Sequence, residues 1–349
     1  MIGRICRSIV ITLVVGLLAA CSPRGAIGFG DAPPDAIQQQ VWVAQFRSQE
    51  DPRPGDQTPP RPDQLRFENY VISIPPGHQT GQIEWPRGKP NGATDFVTVS
   101  RTDIAAVSAF ASNIAKADRQ KTGTTLLFIH GYNNTHGEAV YQGAQLAHDF
   151  DVPSPVVVFS WPSAGQTAGY LYDRDSVLIA RDQLEEVIIA LSRQSDRRLE
   201  IVAHSMGNFL IMETLRQIEK AGRFDIKRHI KSLTMVSPDI DGELFYTQAS
   251  YLSDLPQESV ILAARQDIAL RVSAWLTGRS NRLGSATDRV AVKDLPITVV
   301  DTSDLSDGGF SHKIPFSSIR AIELIKMLDP RIRQAGAVTD RVIRLVDER

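Results

Sequence analysis

Cysteine is almost missing from this chain. Of 349 residues only Cys6 and Cys21 are cysteines, both near the N-terminus, so no disulfide framework can staple the rest. Metal-ligand spacing is missing as well: the seven histidines are scattered, with no HExxH and no CxxC pair, so no metal site is expected. Nor is there an excess of positive charge. The 38 basic and 40 acidic residues give a formal charge of -2, which lacks the basic footprint of a nucleic-acid binder. What remains is ordinary globular composition, 42% hydrophobic and 22% charged, enough for a sizeable core.

Residues 1–21 read MIGRICRSIVITLVVGLLAAC, an export signal with Arg4 and Arg7 at its positive start. The weakly polar and apolar run over 9–20 has 12 residues, short of the roughly 20 that cross a bilayer core. An ordinary secretory cleavage site wants small residues one and three positions before the cut, but the third position back from Cys21 is Leu18. Leu18-Ala19-Ala20-Cys21 instead resembles the lipobox of bacterial lipoproteins, whose cysteine is acylated and becomes the new first residue. That resemblance implies a signal peptide over 1–20 and a lipid anchor at Cys21. It places the protein on a membrane of the bacterial cell envelope, facing the periplasm or on the outer membrane if the cell has two. Residues 21–40 then read as a tether, and five prolines between 51 and 62 mark a stiff extended loop.

Residues 41–44, 70–74 and 96–99 read as strands, expected antiparallel at one edge of a larger sheet. Residues 104–117 carry a helical stripe. From 124 onward, short apolar runs alternate with amphipathic helices such as 174–194, whose Val177, Ala180, Leu184, Ile188 and Leu191 share one face. The runs are 125–130, 155–161, 199–204, 230–236, 258–264 and 296–301. They lack in-and-out alternation, so both faces are buried, as in a parallel sheet covered by helices. The fold class is therefore α/β, a doubly wound and mostly parallel sheet over 41–330, with an edge over 41–120 and a core over 124–328. Ligands of such sheets sit at the carboxyl ends of the strands. Residues 331–349 read as a terminal helix.

Ser205 stands where a strand ends and a helix opens, in Ala203-His204-Ser205-Met206-Gly207. Small residues two before and two after let strand and helix approach around the serine, the logic of the G-x-S-x-G nucleophile elbow with Ala in the first position. A serine hydroxyl needs a base. Two histidines follow it. His229 precedes a strand and falls at the wrong end of the sheet, whereas His312 follows the last run in the polar loop 302–313, at the right edge. The acid is expected at Asp267, after the run 258–264, with Asp239 and Asp241 after the preceding run as rivals. The oxyanion falls to the amide of Met206 and to Tyr132 or Asn133, in the Gly131 loop. His130 is expected to brace that loop. Trp161 is a candidate wall of an acyl pocket.

These motifs together resemble the α/β-hydrolase superfamily over roughly 124–328. FIHGYNN, FSWPS, AHSMGN, SPDID and the late SHK, with SIPPGH and EWP upstream, resemble more narrowly an uncharacterised bacterial family known only as a domain of unknown function. The resemblance implies an esterase- or lipase-like serine hydrolase acting on an acyl or ester substrate without cofactor. Cleavage of thioesters or peptides, and a non-catalytic module on the same fold, stay open alternatives.

Overall fold

The three expected N-terminal strands form as β1 (Ile37–Gln45), β2 (Arg66–Ile74) and β3 (Val97–Ile104), followed by α1 (Val107–Ala117). The six later runs become β4 (Thr124–Ile129), β5 (Val156–Ser160), β6 (Arg198–His204), β7 (Ile230–Val236), β8 (Glu258–Ala263) and β9 (Ile297–Asp301). Between them lie α2 (His136–Asp149), α3 (Tyr170–Ser192), α4 (Met206–Ala221), the single turn α5 (Ile226–His229), α6 (Gly242–Ser250) and α7 (Ile268–Thr277). A further turn, α8 (Ile314–Ser317), and a strand, β10 (Val342–Arg344), complete the elements. The computed structural model describes residues 25–48, 50, 58–194, 197–222, 224–256, 258–265, 267–278, 282–285, 292, 295–305, 314–319, 321–323, 325 and 342–344.

One ten-stranded sheet runs in the order β10-β9-β8-β7-β6-β4-β5-β1-β2-β3. Its strands are parallel from β10 to β1, as their burial on both faces demands. The expected antiparallel edge is present. β1 lies parallel to β5, and only β2 reverses, pairing antiparallel with β1 and β3. The reason lies in the connections: β1, β2 and β3 are sequential neighbours without crossover helices, so the chain turns back at each step.

One apolar layer packs α1, α3, α4 and α6 on one face, around Leu184, Ile188, Leu210 and Phe245. The other face carries α2 and the turn α8, around Tyr141, Phe128 and Phe316. Each fully buried Leu, Ile or Phe contributes about 1.5–3 kcal/mol, so both layers are needed to hold so wide a sheet. α2 begins at Thr135 with a capping box in which Thr135 and Glu138 exchange hydrogen bonds.

Two expected boundaries change. The tether is shorter than residues 21–40, because the chain is already packed at Gly25 and β1 starts at Ile37. The Thr98 amide donates to the Gly28 carbonyl (2.7 Å), the Gly30 amide donates back to Thr98 (3.2 Å), and Ile27 joins the second apolar layer. At the other end, 342–344 is a strand on β9 where a helix was expected. β9 would otherwise present open backbone groups, and a β-branched Val-Ile pair closes that edge. Among the described residues no helix is long and apolar enough to cross a membrane.

Candidate active site

Parallel strands deliver their following residues to one rim. β4 is followed by His130, β5 by Trp161, β6 by Ser205 and β7 by Ser237, and Asp267 comes four residues after β8. Cys21 and His312 lie outside the described residues, so the rim is described without the imidazole of 312.

Ser205 has φ 51° and ψ −122° and immediately precedes the first residue of α4. A side chain at positive φ is strained by about 1–3 kcal/mol and persists only where its surroundings over-determine it. Here they do. The Ser205 amide donates to the Val236 carbonyl (2.9 Å), and the Ser205 carbonyl accepts from the amides of Asn208 (3.1 Å) and Asp239 (3.2 Å). The side-chain amide of buried Asn208 donates to the same two carbonyls, Ser205 at 3.0 Å and Val236 at 3.1 Å. Asn208 is thus the clamp of the elbow, a role its position in AHSMGN did not suggest.

Two glycines let β4 and its loop reach the serine. A Cβ on Gly131 would lie 2.8 Å from Ser205 Cβ, and one on Gly207 would lie 2.5 Å from the His130 carbonyl oxygen. Met206 is the first helical residue, so its amide has no acceptor within the helix. Of the two loop amides expected on the oxyanion side, that of Asn133 is engaged: it donates to an Asp173 carboxylate oxygen at 3.1 Å. That corrects Asn133 as an oxyanion donor. Tyr132 remains on the loop, its hydroxyl donating to the Thr167 carbonyl.

Behind this loop is a buried polar brace that sequence reasoning mostly missed. The His130 ring stacks on Trp161 with centroids 4.9 Å apart. His130 Nδ1 donates to the Gly131 carbonyl (2.8 Å), while Nε2 accepts from the Trp161 amide (3.1 Å). The Trp161 indole donates to the His130 carbonyl at 2.8 Å. Trp161 is fully buried, and the cavity of Met206 and Phe209 beside the elbow is lined by other residues. Its flat ring serves the loop. Burial holds the His130 imidazole well below the ordinary histidine value, with nearby Arg47 adding to the effect.

Arg47, just past β1, donates to Ser160 Oγ (2.9 Å), His130 Nε2 (3.1 Å) and the carbonyls of Ser163 (2.9 Å) and Asn134 (2.8 Å). Burial lowers its guanidinium to about 10. Asp173, fully buried on α3, accepts from Asn133 N, from Ser163 Oγ (2.7 Å) and from Ala164 N (2.6 Å), and burial raises its carboxyl. Nothing in the one-dimensional pattern pointed to either residue. Arg47 reaches this brace because β1 lies beside β5.

Asp267 is fully buried, and its Oδ1 accepts from the Leu270 amide at 3.1 Å as the N-cap of α7. The rivals are placed otherwise. Asp239 accepts from the Tyr170 hydroxyl at 3.0 Å and from Ser273 Oγ at 2.5 Å, and pairs with Arg282 at 3.4 Å. Asp241 caps α6, accepting from the amides of Glu243 and Leu244. Beside the elbow opens a cavity of about 250 Å³ lined by Met206, Phe209, Tyr170, Arg174, Asp239 and Arg282 among others. Ser205 itself is 3% exposed.

A family model described as alpha/beta hydrolase of unknown function (DUF900) matches residues 106–331, well over half the chain. The chain belongs to that family. The strand order and the crossover helices on both faces of this DUF900 hydrolase are those of an α/β-hydrolase fold. An uncharacterized protein of Nostoc sp. is 28% identical over 148 residues, covering 34% of this chain and 38% of that relative's length. Among solved structures it is similar to esterase B from Lactobacillus rhamnosis, with 11% identity, TM-score 0.36, and coverage of 97% of this chain and 99% of that one. It is also similar to an esterase from Rhizomucor miehei (12%, TM-score 0.37, coverage 93% and 91%) and a dienelactone hydrolase from Anabaena variabilis (10%, TM-score 0.36, coverage 78% and 92%).

Proposed function

We propose that this α/β-hydrolase is a serine hydrolase that cleaves a carboxylic or lipid-like ester, with Ser205 as nucleophile, His312 as base and Asp267 as acid. The observation that carries the reading is the Ser205 backbone, held at φ 51° by five hydrogen bonds to its own peptide groups and to Val236. A serine that only caps a helix has no need of that conformation. Burial of Asp267 at the rim, past the end of β8, supports it as the acid.

In this mechanism Ser205 Oγ adds to the ester carbonyl carbon while its proton passes to His312. The amides of Met206 and Tyr132 hold the oxyanion. The bond to the alcohol breaks as His312 returns the proton to the leaving oxygen. Water then attacks the acyl-serine with His312 again as base, and the carboxylic acid departs. Labelling with a fluorophosphonate tests this directly. The intact protein is expected to label and Ser205→Ala is not; an intact protein that resists the reagent would support a binding module instead.

We also propose that Cys21 is acylated and holds the protein on a bacterial envelope membrane. Incorporation of an alkyne-bearing fatty acid, abolished by Cys21→Ser, is the expected result.

A further inference from the structure

We infer that the active-site rim lies against an anionic lipid bilayer, with α7 as the helix that docks on it, so that the ester substrate is a membrane lipid. The inference rests on the hydrolase and anchor readings above and deepens them.

The first observation is where the described chain begins. Gly25 is the first described residue, and its carbonyl accepts from Thr135 Oγ1 at 3.1 Å. Thr135 caps α2 and ends the loop that runs from His130 past Ser205. Four peptide steps separate Cys21 from Gly25, and each spans at most about 3.8 Å. An acyl chain on Cys21 therefore holds this side of the molecule within roughly 15 Å of the headgroups.

The second observation is independent of the first. On α7, Ile268, Val272, Trp275 and Leu276 follow the i, i+4, i+7, i+8 spacing of one helical face, and all are exposed, Trp275 by 79%. Leu270 and Ser273 on the other side are buried. Leu171, in the first turn of α3 and next to Tyr170 in sequence, is also exposed, by 72%. α7 carries Arg271 and no acidic residue. An exposed apolar stripe with a tryptophan and a basic flank is the composition that lies in the boundary between headgroups and acyl chains of an anionic membrane.

The two features share the rim. Tyr132, on the loop ending at Thr135, meets the Tyr170 ring at 5.3 Å, and the Tyr170 hydroxyl lies 2.8 Å from Ser273 Oγ on α7. Tyr170 and Thr277 also line the cavity beside the elbow. A lipid rising from a surface touching α7 meets that cavity first.

The test uses the chain with Cys21→Ser, so that no acyl chain contributes, and vesicles of equal parts phosphatidylglycerol and phosphatidylethanolamine. The chain is expected to sediment with the vesicles. Val272→Glu with Trp275→Glu is expected to lower that partition by about tenfold or more while fluorophosphonate labelling in solution persists. If the double variant does not fold, Trp275→Phe decides: brominated lipids should quench the parent's fluorescence and lose that effect with phenylalanine. Unchanged partition in the folded variant, absence of quenching, or a dimer broken by the variant without vesicle binding would each overturn the inference. Vesicle binding is scored without turnover, so failure of the hydrolase reading shows separately, as absent labelling, and failure of the anchor as absent fatty-acid incorporation.

Discussion

Asn208→Ala perturbs the elbow without touching the reacting hydroxyl. The substitution removes the donations to the carbonyls of Ser205 and Val236. Neither carbonyl is orphaned, because Ser205 O keeps the amides of Asn208 and Asp239, and Val236 O keeps that of Ser205. The loss is therefore the net worth of two buried hydrogen bonds, about 0.5–1.5 kcal/mol each. Asn208 Oδ1 is buried without a partner among the described residues, and deleting it offsets part of that loss. The balance is a destabilisation of about 1–2 kcal/mol by urea unfolding. Labelling should suffer more than stability suggests, because the positive φ of Ser205 carries about 1–3 kcal/mol of strain that the clamp restrains. Relaxation of the turn moves Oγ off its line, and each 1.4 kcal/mol lost at the transition state is about tenfold in rate. The measurement is the second-order rate of fluorophosphonate labelling beside the urea midpoint. A variant within about 0.5 kcal/mol of the parent that labels at the parent rate would refute the clamp.

Arg47→Lys should fail to replace the arginine, since one ammonium cannot reach Ser160, His130, Asn134 and Ser163 from a single planar fork. A loss of about 2–3 kcal/mol in urea unfolding is expected, with slower labelling as the loop of Gly131 loosens. Acid should destabilise the fold from about pH 6.5 downward. Burial lowers His136 to about 3, so the unfolded chain takes up a proton that the folded chain refuses, at a cost of about 2 kcal/mol by pH 5. His130 acts with the same sign. His78 opposes them. Despite a desolvation cost, its bonds to Asp149 and Glu84 raise its pKa, so its contribution is full below about 6.5 and fades as pH rises through the raised value. His136→Gln should flatten the fall in urea midpoint between pH 7 and 5; an unaltered slope would count against a neutral, half-buried ring.

The sequence by itself determined the fold and its chemistry-bearing rim. Apolar runs without alternation require burial on both faces, and parallel strands joined by helices must all end on one side, so Ser205 and Asp267 were legible as rim residues from local pattern. Small residues flanking the serine announced the tight turn for the same local reason. What only the tertiary structure decided depends on contacts between distant segments. β1 pairs with β5, and that pairing alone brings Arg47 to His130 and sets it beside the loop that Asp173 holds. The same contacts turn the Asn133 amide to a carboxylate and bury Trp161, neither of which periodicity encodes. The strand at 342–344 belongs here too: a short β-branched stretch fits a helix or a strand alone, and the open edge of β9 chooses between them.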